Sequence, residues 1–263
     1  MDITQKESEH VRLLKARINA LKAQQLDFLY HASHDLQAPL RKLSSFTDLL
    51  VSQFPDTGDD KPGLYKKKIQ KCIVDMRRLL ERLALLNESI LISPSNEDCN
   101  LNKITRKVID DLQRINPGKI INAVIENLPI IQGNFEQFEQ LFTELLGNAI
   151  MYSRPAVPVE LHIYASELME GDLFLPNYNK SRSETHYKII VADNGIGIRR
   201  ECLKEIFLPF HKGDGVSGNG GNGLGLALSS NIVENHGGII YAESDENNTE
   251  LILILPAKQV SLC

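Results

Sequence analysis

Asp193-Asn194-Gly195-Ile196-Gly197, followed downstream by Gly221-Asn222-Gly223-Leu224-Gly225-Leu226, decides the fold of this chain. The preceding run Tyr187–Ala192 is apolar like a strand, and Asp193 closes it. The glycines then let the backbone turn sharply and approach a ligand with no Cβ in the way. A carboxylate at a strand end suits adenine, because it accepts the exocyclic amino hydrogens, whereas it would repel the carbonyl of guanine. Between the two stretches, Lys212–Asn222 holds five glycines in eleven residues and joins Phe207–Phe210 to an apolar helix beginning near Leu224. A glycine-rich lid ending at a helix N-terminus is a recurrent way to hold phosphates.

Working outward, Asn134 is placed as the N-cap of a helix running to about Tyr152. Phe138, Leu141, Phe142, Leu145 and Ala149 form its core stripe. Glu144, Asn148 and Tyr152 follow at i, i+4 and i+8 on a different face. A solvated face would account for them singly, but next to the glycine stretches a ligand-facing edge is the stronger reading. The pattern predicts a helix over Leu101–Ile115 and strands at Ala123–Glu126, Val157–Ala165, Ile239–Glu243 and Glu250–Leu255. Ser166–His186 reads as an inserted surface loop. This half of the chain is therefore mixed α/β.

The N-terminal half is helical. Val11, Leu14, Ile18, Leu21 and Phe28 follow steps of three and four, the seam of a coiled coil. Beyond Phe28 the stripe shifts to Leu29, Leu36, Leu40, Leu43 and Leu50, so the supercoil must adjust just before His34. His34 lies on neither stripe and should face outward. Pro39 loosens the helix within one turn of it, since proline cannot donate to the Asp35 carbonyl. Phe54–Asp60 is a breaker rich in turn residues. A second amphipathic helix follows, with Ile69, Cys72, Ile73, Met76, Leu79, Leu80, Leu83, Leu86 and Ile90 on its apolar face. A hairpin with two such broad stripes cannot bury them alone, and pairing with a second copy as a four-helix bundle is the economical solution.

Composition bounds the function. The chain has 263 residues, 42% hydrophobic and 24% charged, enough for one large or two modest cores. A formal net charge of −5 argues against nucleic acid or an anionic membrane surface as the main partner. Cys72, Cys99, Cys202 and Cys263 have no metal-ligand or disulfide-framework spacing, which predicts reduced thiols and a cytoplasmic setting. The charged helical lead-in Asp2–Gln25 reads as a connector from something longer, so the expected context is the cytoplasmic part of a larger, membrane-anchored receptor with its sensor domain upstream.

These residues resemble the sensor histidine kinases of two-component signalling over nearly the whole chain. His34-Asp35-Leu36-Gln37 through Leu40-Arg41 is similar to their phospho-acceptor box, and Glu144–Ala149 with Tyr152-Ser153 to their asparagine box. Asp193–Gly197 resembles the first glycine box, Phe207-Leu208-Pro209-Phe210 the aromatic box, and Gly221–Gly225 the second glycine box. Five boxes in family order make the likeness specific. It implies an α+β multidomain protein: a helical hairpin forming a dimeric four-helix bundle, then an α/β sandwich of the gyrase/histidine-kinase ATPase fold. The expected segments are a coiled-coil connector over residues 1–25, the dimerising hairpin over 26–93, a linker over 94–100, the ATP-binding domain over 101–258 and a tail over 259–263.

The resemblance also implies roles. His34 would attack the γ-phosphoryl group of ATP, while Asp35 holds the other ring nitrogen and fixes the tautomer. Asn148, with Glu144 beside it, would ligate Mg²⁺. Asp193 would select adenine in a pocket opened by Gly195 and Gly197 and bordered by Tyr152, Ile198 and Phe207. Lys212, Gly221, Gly223, Leu224 and Gly225 would face the phosphates. The implied partners are a second copy of the chain and a response-regulator receiver domain whose aspartate takes the phosphoryl group. Three departures stand out. Glu144 occupies the place of a frequent asparagine and resembles the general base of gyrase-like ATPases. Met151 replaces a frequent lysine. Ala38 has no hydrogen-bonding side chain where related kinases align a water for dephosphorylating their partner. Two alternatives stay open: a nucleotide-binding pseudokinase scaffold, and a gyrase-like ATPase with a conformational output.

Overall fold

The computed structural model describes residues 40–41, 43–48, 60–91, 97–168, 185–211, 223–245 and 248–258. The chain divides into two compact units, Met1–Glu88 and Ser89–Cys263. The coiled-coil seam, the His34 box and the breaker at residues 54–59 lie outside the described residues.

In the first unit, residues 40–41 and 43–48 are helical and precede the long helix α1, Asp60–Leu91. Pro62 falls in the first turn of α1, where a missing N–H removes no intrahelical bond. Leu40, Thr47, Ile73, Leu80, Leu83 and Leu86 are buried. Leu43, Phe46, Ile69, Val74, Met76 and Leu85 are exposed, as is Cys72. The sequence stripe placed Leu43, Ile69, Cys72 and Met76 with the core, and within one chain they are not there. The stripe is wider than a single partner helix can cover, so one flank is buried and the other stays open.

The second unit is an α/β sandwich. Its main sheet has the order β2-β4-β5-β7-β6, formed by Ile121–Ile125 (β2), Val159–Glu167 (β4), His186–Asp193 (β5), Ile239–Ser244 (β6) and Thr249–Pro256 (β7). β2 runs parallel to β4, and the other neighbours are antiparallel. The pleat sends Val159, Leu161 and Ile163, with Ile189 and Val191, to one face, and register places Leu251 and Leu253 beside them. That buried face carries the core. Helices α2 (Leu101–Ile115), α3 (Phe135–Met151) and α4 (Gly225–Asn235) pack on one another, α3 central.

The sequence pattern missed a small second sheet, in which Glu97–Asn100 (β1) pairs antiparallel with Ile130–Gly133 (β3). The end of the stretch expected as a linker is thus a strand. The strand expected at Ala123–Glu126 begins earlier, at Ile121, which lies opposite Val159. Both helix starts follow their caps. The Asn100 side chain accepts from the Lys103 N–H at 3.1 Å, and Asn134 from the Gln137 N–H at 2.9 Å.

His236, at the end of α4, ties that helix to the start of α3. It is fully buried, with Nδ1 donating to the Ile232 carbonyl at 2.7 Å. Nε2 accepts from the Asn134 N–H at 3.2 Å, and the ring lies 4.4 Å from that of Phe138. A Cβ at Gly133 would sit 2.5 Å from Phe138 and 2.6 Å from His236, so only glycine fits beneath the pair. Burial holds the imidazole pKa below its ordinary 6.5, the bond to Ile232 opposing it. The neutral ring therefore contributes stability that is present above 6.5 and lost as pH falls below it. Urea unfolding at pH 7.5 and 5.5 should show a larger loss of stability at the lower pH for the natural chain than for His236→Gln, which cannot titrate. Equal losses would show that His236 does not control acid sensitivity.

Candidate nucleotide site

Glu144, Asn148 and Tyr152 run along one side of α3 over two turns, about 12 Å of helix axis. The two ends of that row meet different parts of the fold. Glu144 is buried, its Oε1 accepting from Gln140 Nε2 at 2.9 Å. A Cβ built on Gly225, the first residue of α4, would lie 2.5 Å from Glu144 Oε2 and 3.6 Å from Asn148 Nδ2. The start of α4 thus presses against the first two residues of the row, and only glycine permits the approach. At the other end, the Tyr152 carbonyl accepts from the Ile196 N–H at 3.1 Å. A Cβ on Gly195 would lie 3.0 Å from that carbonyl and 2.6 Å from Asp193 Oδ1.

Asp193 ends β5 half-buried, with its Oδ1 accepting the Gly195 N–H at 2.8 Å. Burial pushes its carboxyl up to about 6, and the Gly195 hydrogen bond pulls the other way. Burial also raises the Tyr152 phenol, which stays a protonated donor at neutral pH. The turn beyond Asp193 is tethered on several sides. Asn194 donates to the Pro158 carbonyl and accepts from the Glu160 N–H, both at 3.0 Å. Arg154 Nε donates to the Gly195 carbonyl at 3.0 Å, and the Ile198 N–H donates to Ser244 Oγ at 2.8 Å. Gly197 takes a left-handed φ of 76°. These partners come from 41 and 46 positions away, and no local pattern announces them.

The residues flanking the glycine-rich stretch are joined. The Phe210 N–H donates to the Gly223 carbonyl at 2.8 Å, with φ of 65° at Phe210 and 71° at Gly223. A non-glycine residue in the left-handed region persists only where its surroundings hold it there. Phe207 is half-buried, Leu224 is buried, and Phe210, Leu208 and Ile196 are exposed. His34, Asp35, Lys212 and Gly221 lie outside the described residues. Of the remaining candidates, Glu144, Asn148 and Gly225 meet at one end of the row, and Tyr152, Asp193 and Gly195 at the other, with Gly197 and Ile198 in the turn beyond.

This arrangement can hold an elongated ligand with a base near Asp193 and anionic groups near the N-terminus of α4, where free N–H groups attract negative charge. Mg²⁺ suits the same end. It is usually held by one or two protein oxygens together with phosphates and waters, and Asn148 and Glu144 offer oxygens one turn apart. Among the described residues no group of three His, Cys, Asp or Glu side chains could cage a metal alone. A Gly225→Ala substitution tests the contact at this end. The alanine Cβ must push the buried Glu144 carboxylate aside, so the thermal midpoint should fall. The displaced carboxylate should also weaken ATP binding by about fivefold or more, a mispaired buried polar group being the cause. Unchanged affinity in calorimetry would remove Gly225 from the site.

Residues 133–259 match the family described as "Histidine kinase-, DNA gyrase B-, and HSP90-like ATPase". Cyanobacterial phytochrome B of Nostoc sp. is 32% identical over 232 residues, covering 84% of this chain and 28% of that protein. The signal transduction histidine-protein kinase ArlS of Staphylococcus haemolyticus is 29% identical over 232 residues, covering 85% of this chain and 47% of ArlS. The chain therefore spans less than half the length of these relatives. Full-length ShkA in complex with AMPPNP has the same fold, with a TM-score of 0.60 at 19% identity, over 89% of this chain and 46% of ShkA. Among the described residues no helix is long and apolar enough to cross a membrane. Residues 133–259 are therefore a domain of this ATPase family, and the chain as a whole is similar to sensor histidine kinases.

Proposed function

We propose that this chain is the catalytic core of an ATP-dependent protein-histidine kinase that phosphorylates its own His34 and passes the phosphoryl group to an aspartate of a response-regulator receiver domain. The observation that carries the reading is the row Glu144, Asn148 and Tyr152, which meets the start of α4 at one end and the Asp193 turn at the other. That spacing suits a nucleotide whose base and phosphates are bound separately. Asp193 would accept the adenine amino group, and Asn148 with Glu144 would hold Mg²⁺, which offsets charge on the phosphates. Lys212, Gly221 and Gly223 would approach the phosphates, and Asp35 would set the tautomer of His34.

The first unit would act as a homodimer. Its open flank of Leu43, Phe46, Ile69 and Met76 is apolar area that a second copy would cover in a four-helix bundle. The segmental organisation inferred from sequence goes with this reading: connector, histidine hairpin, linker, ATP-binding domain and tail. We also place the chain on the cytoplasmic side of a larger receptor.

Incubation with γ-labelled ATP and Mg²⁺ separates the readings. Acid-labile label on the protein, chased onto a receiver domain, is the expected result. Release of labelled phosphate without protein label would instead make the chain an ATPase with Glu144 as its base, and neither label nor release would make it a scaffold.

A further inference from the structure

We propose that Arg154 is a positioning residue that aims Asp193 and thereby sets the preference for a purine bearing a 6-amino group. This rests on the reading of Asp193 as the adenine acceptor. The peptide unit joining Gly195 to Ile196 is gripped on both edges. Its carbonyl accepts from Arg154 Nε at 3.0 Å, and its N–H donates to the Tyr152 carbonyl at 3.1 Å. Both grips come from the three residues that follow α3. A single bond would leave the plane free to rotate about it, whereas two opposed bonds fix its direction.

The consequence reaches Asp193 through Gly195. That residue's own N–H donates to Asp193 Oδ1 at 2.8 Å, so the orientation of Gly195 sets the plane of the carboxylate and the aim of its second oxygen. Gly195 has little room to adjust, being buried against the Tyr152 carbonyl. Arg154 is itself constrained. Pro155 follows it and biases its backbone to an extended conformation, carrying the chain out of the helix and across the turn. The last turn of α3, from which the grip extends, is fixed in place by Lys119, whose ammonium bonds Ser153 Oγ at 2.6 Å and also reaches the Ile150 carbonyl.

The test compares affinities of the full chain for ATP and for purine riboside triphosphate, which has hydrogen in place of the amino group. The natural chain should prefer ATP by about tenfold or more, the size expected when a buried acceptor loses its donor. Arg154→Met removes the Nε donor while keeping the apolar stem, and Arg154→Leu removes it with a shorter one. Either should reduce that preference to about threefold or less, because a misaimed acceptor gains little from the amino group. Arg154→Lys should recover part of it. A general loss of structure would weaken both nucleotides alike and leave the ratio unchanged, so an unchanged ratio in whichever of the two variants folds overturns the proposal. No preference in the natural chain would remove adenine recognition by Asp193, and this role with it.

Discussion

His34→Gln abolishes transfer of label from γ-labelled ATP to the protein. The amide has no nucleophilic nitrogen lone pair, so it cannot take the phosphoryl group. Loss of an oriented nucleophile forfeits the advantage of an effectively unimolecular step, so labelling should fall below about a thousandth of the natural level. Affinity for ATP should stay within about twofold, since the residues proposed to bind the nucleotide all belong to the second unit and His34 is not among them. Asp35→Asn should also lower the rate, by about 10²–10⁴-fold, because an amide cannot stabilise the charge that develops on the ring. The check is acid-labile label on purified protein alongside calorimetric titration with ATP. Full labelling of His34→Gln would move the phosphoryl acceptor to another residue.

Much of the second unit was legible because its signals are local. Asn134 announced the start of α3, and its side chain does accept from the third residue of that helix. The apolar runs of β5 and β7 read directly as strands, since both lie in the middle of the sheet. The strand β1 was invisible because Glu97-Asp98-Cys99-Asn100 is polar, short and held in place by β3 rather than by its own propensity. In the helical unit the width of the apolar stripe was legible, but which flank a single chain would cover was not. The candidate site was legible as blocks, and the hydrogen bonds that orient the blocks were not. Arg154 reaches Gly195 across 41 positions, and His236 reaches Asn134 across 102. Such contacts carry no periodicity and need only one suitable donor or acceptor.

Asp193→Asn should weaken ATP binding about tenfold or more, a buried polar group being left mispaired. The carboxylate has two oxygens with separate tasks. Oδ1 accepts the Gly195 N–H, which leaves the second oxygen for the adenine amino group. An amide has one acceptor and one donor, so it can serve Gly195 or adenine but not both. Rotating the side chain by half a turn merely moves the conflict from the ligand to the backbone. Equal affinity of the two proteins for ATP would place adenine recognition elsewhere.

The same substitution should stabilise the nucleotide-free protein at neutral pH. Burial raises the Asp193 carboxyl from 3.8 to about 6, so the folded state favours the protonated form. The stabilising contribution of that form is fully present below 3.8 and is lost as pH rises through about 6. At pH 7.5 the ionised group is therefore a cost to folding, which an uncharged amide avoids. Binding should have the opposite slope, because the proposed adenine acceptor is the ionised form. Between pH 7.5 and 5.5 the natural chain should lose ATP affinity beyond whatever loss Asp193→Asn shows, since only the former titrates in this window. Thermal midpoints without nucleotide and calorimetric affinities at the two pH values test both slopes together. A variant that binds ATP poorly and yet unfolds later than the natural chain identifies Asp193 as a residue kept for recognition against the preference of the fold.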